Sequence, residues 1–268
     1  MKKGTPINNN IAISKRYEKA LQKLIDNMRN STEKELNYLF NRKTAKTYVN
    51  DAKKEKNIST KAKLALAALF LKFQLMFRKK SKTLVQAMLE DVEKYASGAV
   101  RRSLKELTGE SFNTSTISKL EKVKLQAITT ENVSLIKSIP PQYFTQVTGD
   151  VMRAISTGNI DGLTESIVKH GKVSEKRAKM IALDQTNRAI QTISRQKMID
   201  KGISKFQWIY TFRSKEPRPS HVKMNGNVYR LDSPPIINAD SGGAPKRGYP
   251  GDLINCKCTM KPISEWEK

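Results

Sequence analysis

From Gly202 to the end, the chain is too rich in turn-formers and special side chains to be one more helix. These 67 residues hold one of two histidines, both cysteines, both tryptophans and seven of ten prolines. Proline lacks the amide donor and fixes φ, so a stretch so supplied must be loops and short strands. The cysteines, Cys256 and Cys258, stand one residue apart. A disulfide between them would close a strained ring, so they point to a reducing compartment and to free thiols or metal ligands.

Upstream, the pattern is helical. From Ser14 to about Leu107, breakers are scarce, while residues 1–13 read as a loose polar lead. Leu64, Ala68, Leu71 and Leu75 recur at steps of four, three and four, which predicts one apolar helix face, extended by Val85, Leu89, Val92, Ala96 and Ala99. Thr108-Gly109 and the polar run Ser111–Ser118 mark a hinge. Pro140-Pro141 ends a helix from Ile117. Two shorter helices are expected over Tyr143–Ser156 and Ile160–Lys169, stopping near Gly158 and Gly171. Ser174 then reads as the N-cap of a long helix, 175–201, that Gly202 stops in a left-handed conformation.

After Gly202 the period changes to two. Phe206, Trp208, Tyr210 and Phe212 alternate with Gln207, Ile209 and Thr211, a strand with one aromatic face. Such a face is expected to be core, the alternative being a stacking platform for nucleic-acid bases. Asn225-Gly226 predicts a hairpin between strands Val222–Met224 and Asn227–Leu231. Pro234–Asn255 is a long aperiodic loop, and such loops are functional or externally tied. Cys256–Lys261 returns as a last strand. The expected fold is α+β, a largely helical N-terminal region followed by a small β-containing C-terminal module. Its parts are a basic helical region at 1–110, a helical region at 111–201 and the module at 202–268.

Charge narrows the partners. Lys and Arg number 50 against 25 Asp and Glu, a net +25. The excess is spread out: 14 basic against 6 acidic in 1–60, 12 against 5 in 61–120, 9 against 6 in 121–180 and 15 against 8 in 181–268. A field positive everywhere favours a polyanion, and double-stranded DNA gains affinity from each counterion released. Lys72, Arg78, Lys79, Lys80, Lys82, Arg101 and Arg102 are the candidate DNA contacts, with a solvated bundle helix as the alternative. No membrane partner is expected: Leu64–Phe77 is too short to span and Lys72 interrupts it. The polar Asn8-Asn9-Asn10 after the start does not read as a signal peptide.

Three residues suit a soft metal. His221, Cys256 and Cys258 offer imidazole and two thiolates, donors that zinc accepts, with Asp232, Asp240 or Asp252 as a fourth. The competing reading is that the three pack in a loop-rich core. Arg213 and Arg218 follow the aromatic strand and read as an anion- or partner-binding rim, the alternative being that Arg218 makes a local ion pair with a loop acid such as Asp232 or Asp252. Catalysis finds little support: no Gly-x-Ser-x-Gly, His-Glu-x-x-His or phosphate loop occurs. The alternative to a non-catalytic protein is a metal-dependent nuclease centred on His221.

The order of motifs carries a resemblance. Met180–Asn187 lies on a helix; Gly202, Trp208, Arg218-Pro219-Ser220-His221, Asn225-Gly226, Tyr249-Pro250-Gly251, Asn255-Cys256-Lys257-Cys258 and Pro262 follow. Upstream, Glu131–Ile139 fits as well. Over about 128–263 the chain resembles the tailed-phage head morphogenesis, or minor head, family that includes the Mu F-like proteins. The resemblance implies a non-catalytic protein of the virion interior, joining the head in the bacterial cytoplasm near the portal vertex and associated with packaged DNA. Implied partners are the portal protein and capsid or scaffold proteins. Some relatives carry cysteine near the positions of Arg218 and His221, as a metal site does; Arg218 here is not a ligand.

Overall fold

The computed structural model describes residues 2–40, 52–158, 162–212 and 216–264. The fold is α+β. Strand β1 (Lys2–Lys3) is followed by helices α1 (Ile11–Leu39), α2 (Ala52–Thr108), α3 (Lys119–Lys137), α4 (Ile139–Thr157) and α5 (Leu163–Asp200). Then come β2 (Lys205–Ile209), a short α6 (Pro219–Lys223), β3 (Val228–Arg230) and β4 (Thr259–Ser264). The strands form one antiparallel sheet in the order β1-β4-β2-β3.

The chain divides into two compact units that interleave along the sequence. One takes Met1–Tyr17, Gln86–Thr130 and Ala182–Lys268; the other takes Glu18–Val85 and Glu131–Ile181. This partition differs from one cut at 110 and 201, because helical periodicity reads along a chain while compactness follows contacts distant in sequence.

The second unit is helical among its described residues. Its buried apolar side chains include Leu21, Ile25, Leu66, Phe73, Phe77, Tyr143, Phe144 and Val151. Phe144 of α4 lies edge-on to Phe70 at 5.9 Å and stacks on Phe73 at 6.3 Å. The face that α2 buries here runs through Ala62, Leu66, Phe73 and Phe77. The face expected from the leucine spacing is the opposite one: Leu64, Leu71 and Leu75 are exposed, and so is Ala68. Two stripes of similar period share this helix, and aromatic volume decided which one faces the core. The predicted extension, Val85, Leu89, Val92, Ala96 and Ala99, is buried.

Pro140 and Pro141 do interrupt the helices, standing in the first turn of α4, where a missing amide donor costs least. Helix α5, however, runs unbroken from Leu163 through Gly171, in place of a helix ending at Lys169 and another starting at 175. The Ser174 hydroxyl bonds back to the His170 carbonyl at 3.1 Å within that helix instead of capping a new one. Gly171 serves a close approach: a Cβ there would lie 2.6 Å from Cδ of Arg29. Arg29 passes over this gap to pair with Glu175 at 2.8 Å.

The first unit holds the sheet. Residues 2–9, expected to be loose, are built into it: β1 pairs with β4, and Ile7, fully buried, bridges to Met260. The loop between α2 and α3 is pinned at Thr114, whose hydroxyl donates to the Ser97 carbonyl while its own carbonyl accepts from the Lys197 ammonium at 2.9 Å. Lys197 is buried and also meets Glu93 and Glu121, each at 3.1 Å. Burial raises the Glu121 carboxyl above its ordinary range, against the pull of Lys197.

Gly202 takes φ +76° and stops α5 as expected, with the Ile203 amide reaching back to the Met198 carbonyl at 3.0 Å. Phe206, Trp208 and Tyr210 are buried. Phe212, predicted on the same face, lies past the end of β2, turns to φ +54° and is exposed. The predicted hairpin is also corrected. Residues 222–224 are no strand: Pro219 starts α6, and Asn225-Gly226 joins that helix to β3. Only Gly226 of the pair has positive φ, and its amide donates to the Trp208 carbonyl at 2.8 Å.

A test of the N-terminal packing uses two glycines. A Cβ on Gly4 would lie 2.6 Å from the backbone oxygen of Ser103, so Gly4→Ala must part the β1 segment from α2. It is expected to cost about 1–3 kcal/mol, as overpacked cores do. A Cβ on Gly149, mid-helix in α4, meets nothing within 4 Å. Gly149→Ala is expected to gain about 0.5–1 kcal/mol. Thermal denaturation of the two variants, compared with the parent, reads both signs.

Candidate functional site

The second half of α5 is the rail on which the loop-rich module is laid. A single buried amide joins three chain segments: Gln191 Nε2 donates to the Ile7 carbonyl at 2.9 Å and to Asn9 Oδ1 at 3.1 Å, and its Oε1 accepts from the Met260 amide at 3.2 Å. One turn further, the Arg195 guanidinium lies 3.7 Å from the Tyr249 ring centroid and 3.8 Å from Asp252. Two turns earlier, Asp184 Oδ1 accepts the Asn255 amide at 2.6 Å. Asn255 sits at φ +60°, and Gly251, at φ +87°, passes against Gln191. The loop Pro234–Asn255 is thus tied, though it carries no regular element. An Ile236–Arg247 bridge and the Tyr249 hydroxyl, donating to the Leu231 carbonyl at 2.5 Å, close it on itself.

These ties bring three sequence-predicted residues together. His221 stands on α6, started by Pro219 and held by Asp240, which accepts from the Ser220 amide at 3.1 Å and from its hydroxyl. Cys256 and Cys258 stand just before β4 and bring their sulfurs to the same imidazole. Each sulfur lies 3.6 Å from His221 Nδ1. All three residues are buried, at 2–3% exposure. The other imidazole nitrogen, Nε2, donates to the Ile237 carbonyl at 3.0 Å, so Nδ1 presents its lone pair to the thiols. The wall is Trp208, edge-on to His221 at 5.1 Å. The aromatic strand therefore serves both core and site. The Gly251 amide points at Cys256 Sγ from 3.4 Å. Hydrogen bonding from Cys258 pulls the Cys256 thiol well below its usual range; the same partnership, with burial, pushes Cys258 up.

The remaining predicted residues fall elsewhere. Asp232 pairs with Arg230, Asp240 with Ser220, and Asp252 accepts from the Tyr249 amide, so none joins the cluster. Arg218 donates to the Ile254 carbonyl at 2.9 Å, strapping the loop next to Cys256. Arg213 lies outside the described residues. Lys72, Arg78, Lys79, Lys80, Lys82, Arg101 and Arg102 are all exposed on α2, Lys72 also standing 5.4 Å from the Phe73 ring centroid. Sequence reasoning missed Gln191 and Arg195. The sequence shows only that α5 is rich in polar residues here; that Gln185, Gln191, Ser194, Gln196 and Lys197 are buried is seen only in the fold.

A second polar group lies on α4 and α5. Asp150 Oδ2 accepts from the Ser166 hydroxyl and meets His170 Nε2 at 2.8 Å. Those bonds hold the carboxyl below its usual range. Serine and histidine share one carboxylate oxygen here, which ties two helices and is not the relay order of a nucleophile, base and acid.

Comparison with known proteins bears on this module. Residues 145–261, somewhat under half the chain, match the family described as Phage Mu protein F like protein. The match takes in most of α4, all of α5, the aromatic strand, His221 and both cysteines; this segment is Mu F-like. An uncharacterized protein of Haemophilus influenzae is 33% identical over 141 residues, 52% of this chain. The aligned part spans 29% of that protein's length. No solved structure matches. Among the described residues, no helix is long and apolar enough to cross a membrane.

Gln191→Leu is expected to destabilise the module by about 2–4 kcal/mol. It leaves the Met260 amide and the Ile7 carbonyl buried without their partner, at about 1–3 kcal/mol each. Thermal denaturation measures the effect, and hydrogen exchange is expected to speed up at the Met260 amide.

Proposed function

We propose that this chain, with its Mu F-like segment, is a minor head protein of a tailed phage, acting without catalysis in head assembly. The observation that carries this reading is the match over 145–261. In this reading the protein joins the head beside the portal, with portal and capsid or scaffold proteins as partners, and stays with the packaged DNA. The distributed +25 charge supports the last point on independent physical grounds, since a protein enclosed with dense DNA meets phosphate on every side. The exposed run Arg78, Lys79, Lys80 and Lys82 on α2 supplies cations free to reach phosphate. A nuclease centred on His221 is disfavoured: the imidazole is 2% exposed, one nitrogen is committed to Ile237 and the other faces two sulfurs.

Two measurements test the reading. Mass spectrometry of purified virions is expected to find the protein; its absence from heads would remove the structural role. Duplex DNA is expected to bind without sequence preference and to weaken steeply with salt. Replacing Arg78, Lys79, Lys80 and Lys82 by Gln is expected to flatten the plot of log affinity against log salt by about 0.9 for each phosphate no longer neutralised. Binding indifferent to salt would remove DNA association from the proposed role.

A further inference from the structure

Two thiols converge on a single lone pair. His221 Nδ1 has one acceptor position, because Nε2 carries the proton given to Ile237. Both cysteine sulfurs nevertheless stand 3.6 Å from that nitrogen. Only one thiol at a time can donate to that nitrogen, and the other is left with the neighbouring sulfur, a weak acceptor. A cation between the three atoms satisfies all at once. The spacing fits: Zn–S near 2.3 Å and Zn–N near 2.0–2.1 Å at a tetrahedral angle put sulfur and nitrogen about 3.6 Å apart. Among the described residues these three form the one group of at least three His, Cys, Asp and Glu donors close enough to share a metal, all within 4.8 Å of one another.

The surroundings are arranged as for ligands. The imidazole is oriented through its far nitrogen by a backbone carbonyl, the usual outer-shell partner of a metal-bound histidine. Cys256 Sγ receives the Gly251 amide, which favours a thiolate. The Trp208 indole N–H, beside His221, faces the Cys258 sulfur, where a donor favours the charged form. We propose that His221, Cys256 and Cys258 bind one zinc ion, with a small non-protein donor such as water as fourth ligand, and that the ion clamps α6 to the segment entering β4. Thiolate and imidazole select zinc over magnesium or calcium, which take oxygen donors. The clamp closes the Pro234–Asn255 loop at its base, where α6 and the cysteines meet.

The test uses the full chain, expressed with zinc in the medium and exchanged into metal-free buffer. Elemental analysis is expected to find one zinc per chain. A strong chelator is expected to remove it, to lower Tm by about 10 °C, and to turn both thiols from slow to fast in reaction with a thiol reagent; added zinc is expected to reverse all three. Cobalt(II) in place of zinc is expected to give a thiolate charge-transfer band that weakens in Cys256→Ser and again in Cys258→Ser. If a serine variant fails to fold, the chelator and cobalt measurements on the unaltered protein still decide. A folded protein without zinc, with both thiols reacting fast and no cobalt band, would overturn the proposal.

Discussion

The loop-rich module depends on one side chain, the buried amide of Gln191. It fixes segments from both ends of the chain, accepting from β4 and donating to the stretch after β1. A short sheet of two- to six-residue strands gains little from its own ladder. Its stability rests on what it packs against, and α5 supplies that support. Around Gln191, Asp184 and Arg195 fix the loop at two further points, and the close passage of Gly251 brings the loop backbone against the helix. The position of the cysteines follows from these ties.

The Lys197 cluster plays a similar part on the other flank. A buried ammonium meeting two carboxylates and a carbonyl adds little net stability over a well-packed apolar group, but breaking it leaves a bare charge in the interior. What it adds is definition: α2, α3, α5 and the Thr114 loop fit in one arrangement. Polar satisfaction, with the apolar core beside it, thus fixes the geometry from which His221 and the two thiols are presented.

Site and surface serve separate ends. The His221 cluster is sealed, and its chemistry bears on folding. The basic side chains of α2 are exposed, and theirs bears on partners. In the proposed head protein, a rigid module and a broad cationic surface are compatible, because attraction to phosphate needs charge in solvent and not a shaped pocket.

Much of the fold was legible in the sequence. Composition and periodicity determined the α+β class, the helical stretch, the stop at Gly202, the aromatic strand and the trio His221, Cys256 and Cys258, because each is a local property of spacing or side-chain chemistry. Tertiary structure decided the rest. The leucine stripe at 64–75 and the aromatic stripe at 66–77 fit one helix equally well, and packing against α4 chose the second. The Asn225-Gly226 turn is local, but which elements it joins depended on Pro219 starting a helix instead of a strand. Residues 2–9 look loose in isolation, since a two-residue strand has no signal until β4, some 260 positions away, pairs with it. The convergence of His221 with the cysteines across a 35-residue separation likewise had to wait for α5, whose Asp184, Gln191 and Arg195 hold the loop and β4 in place.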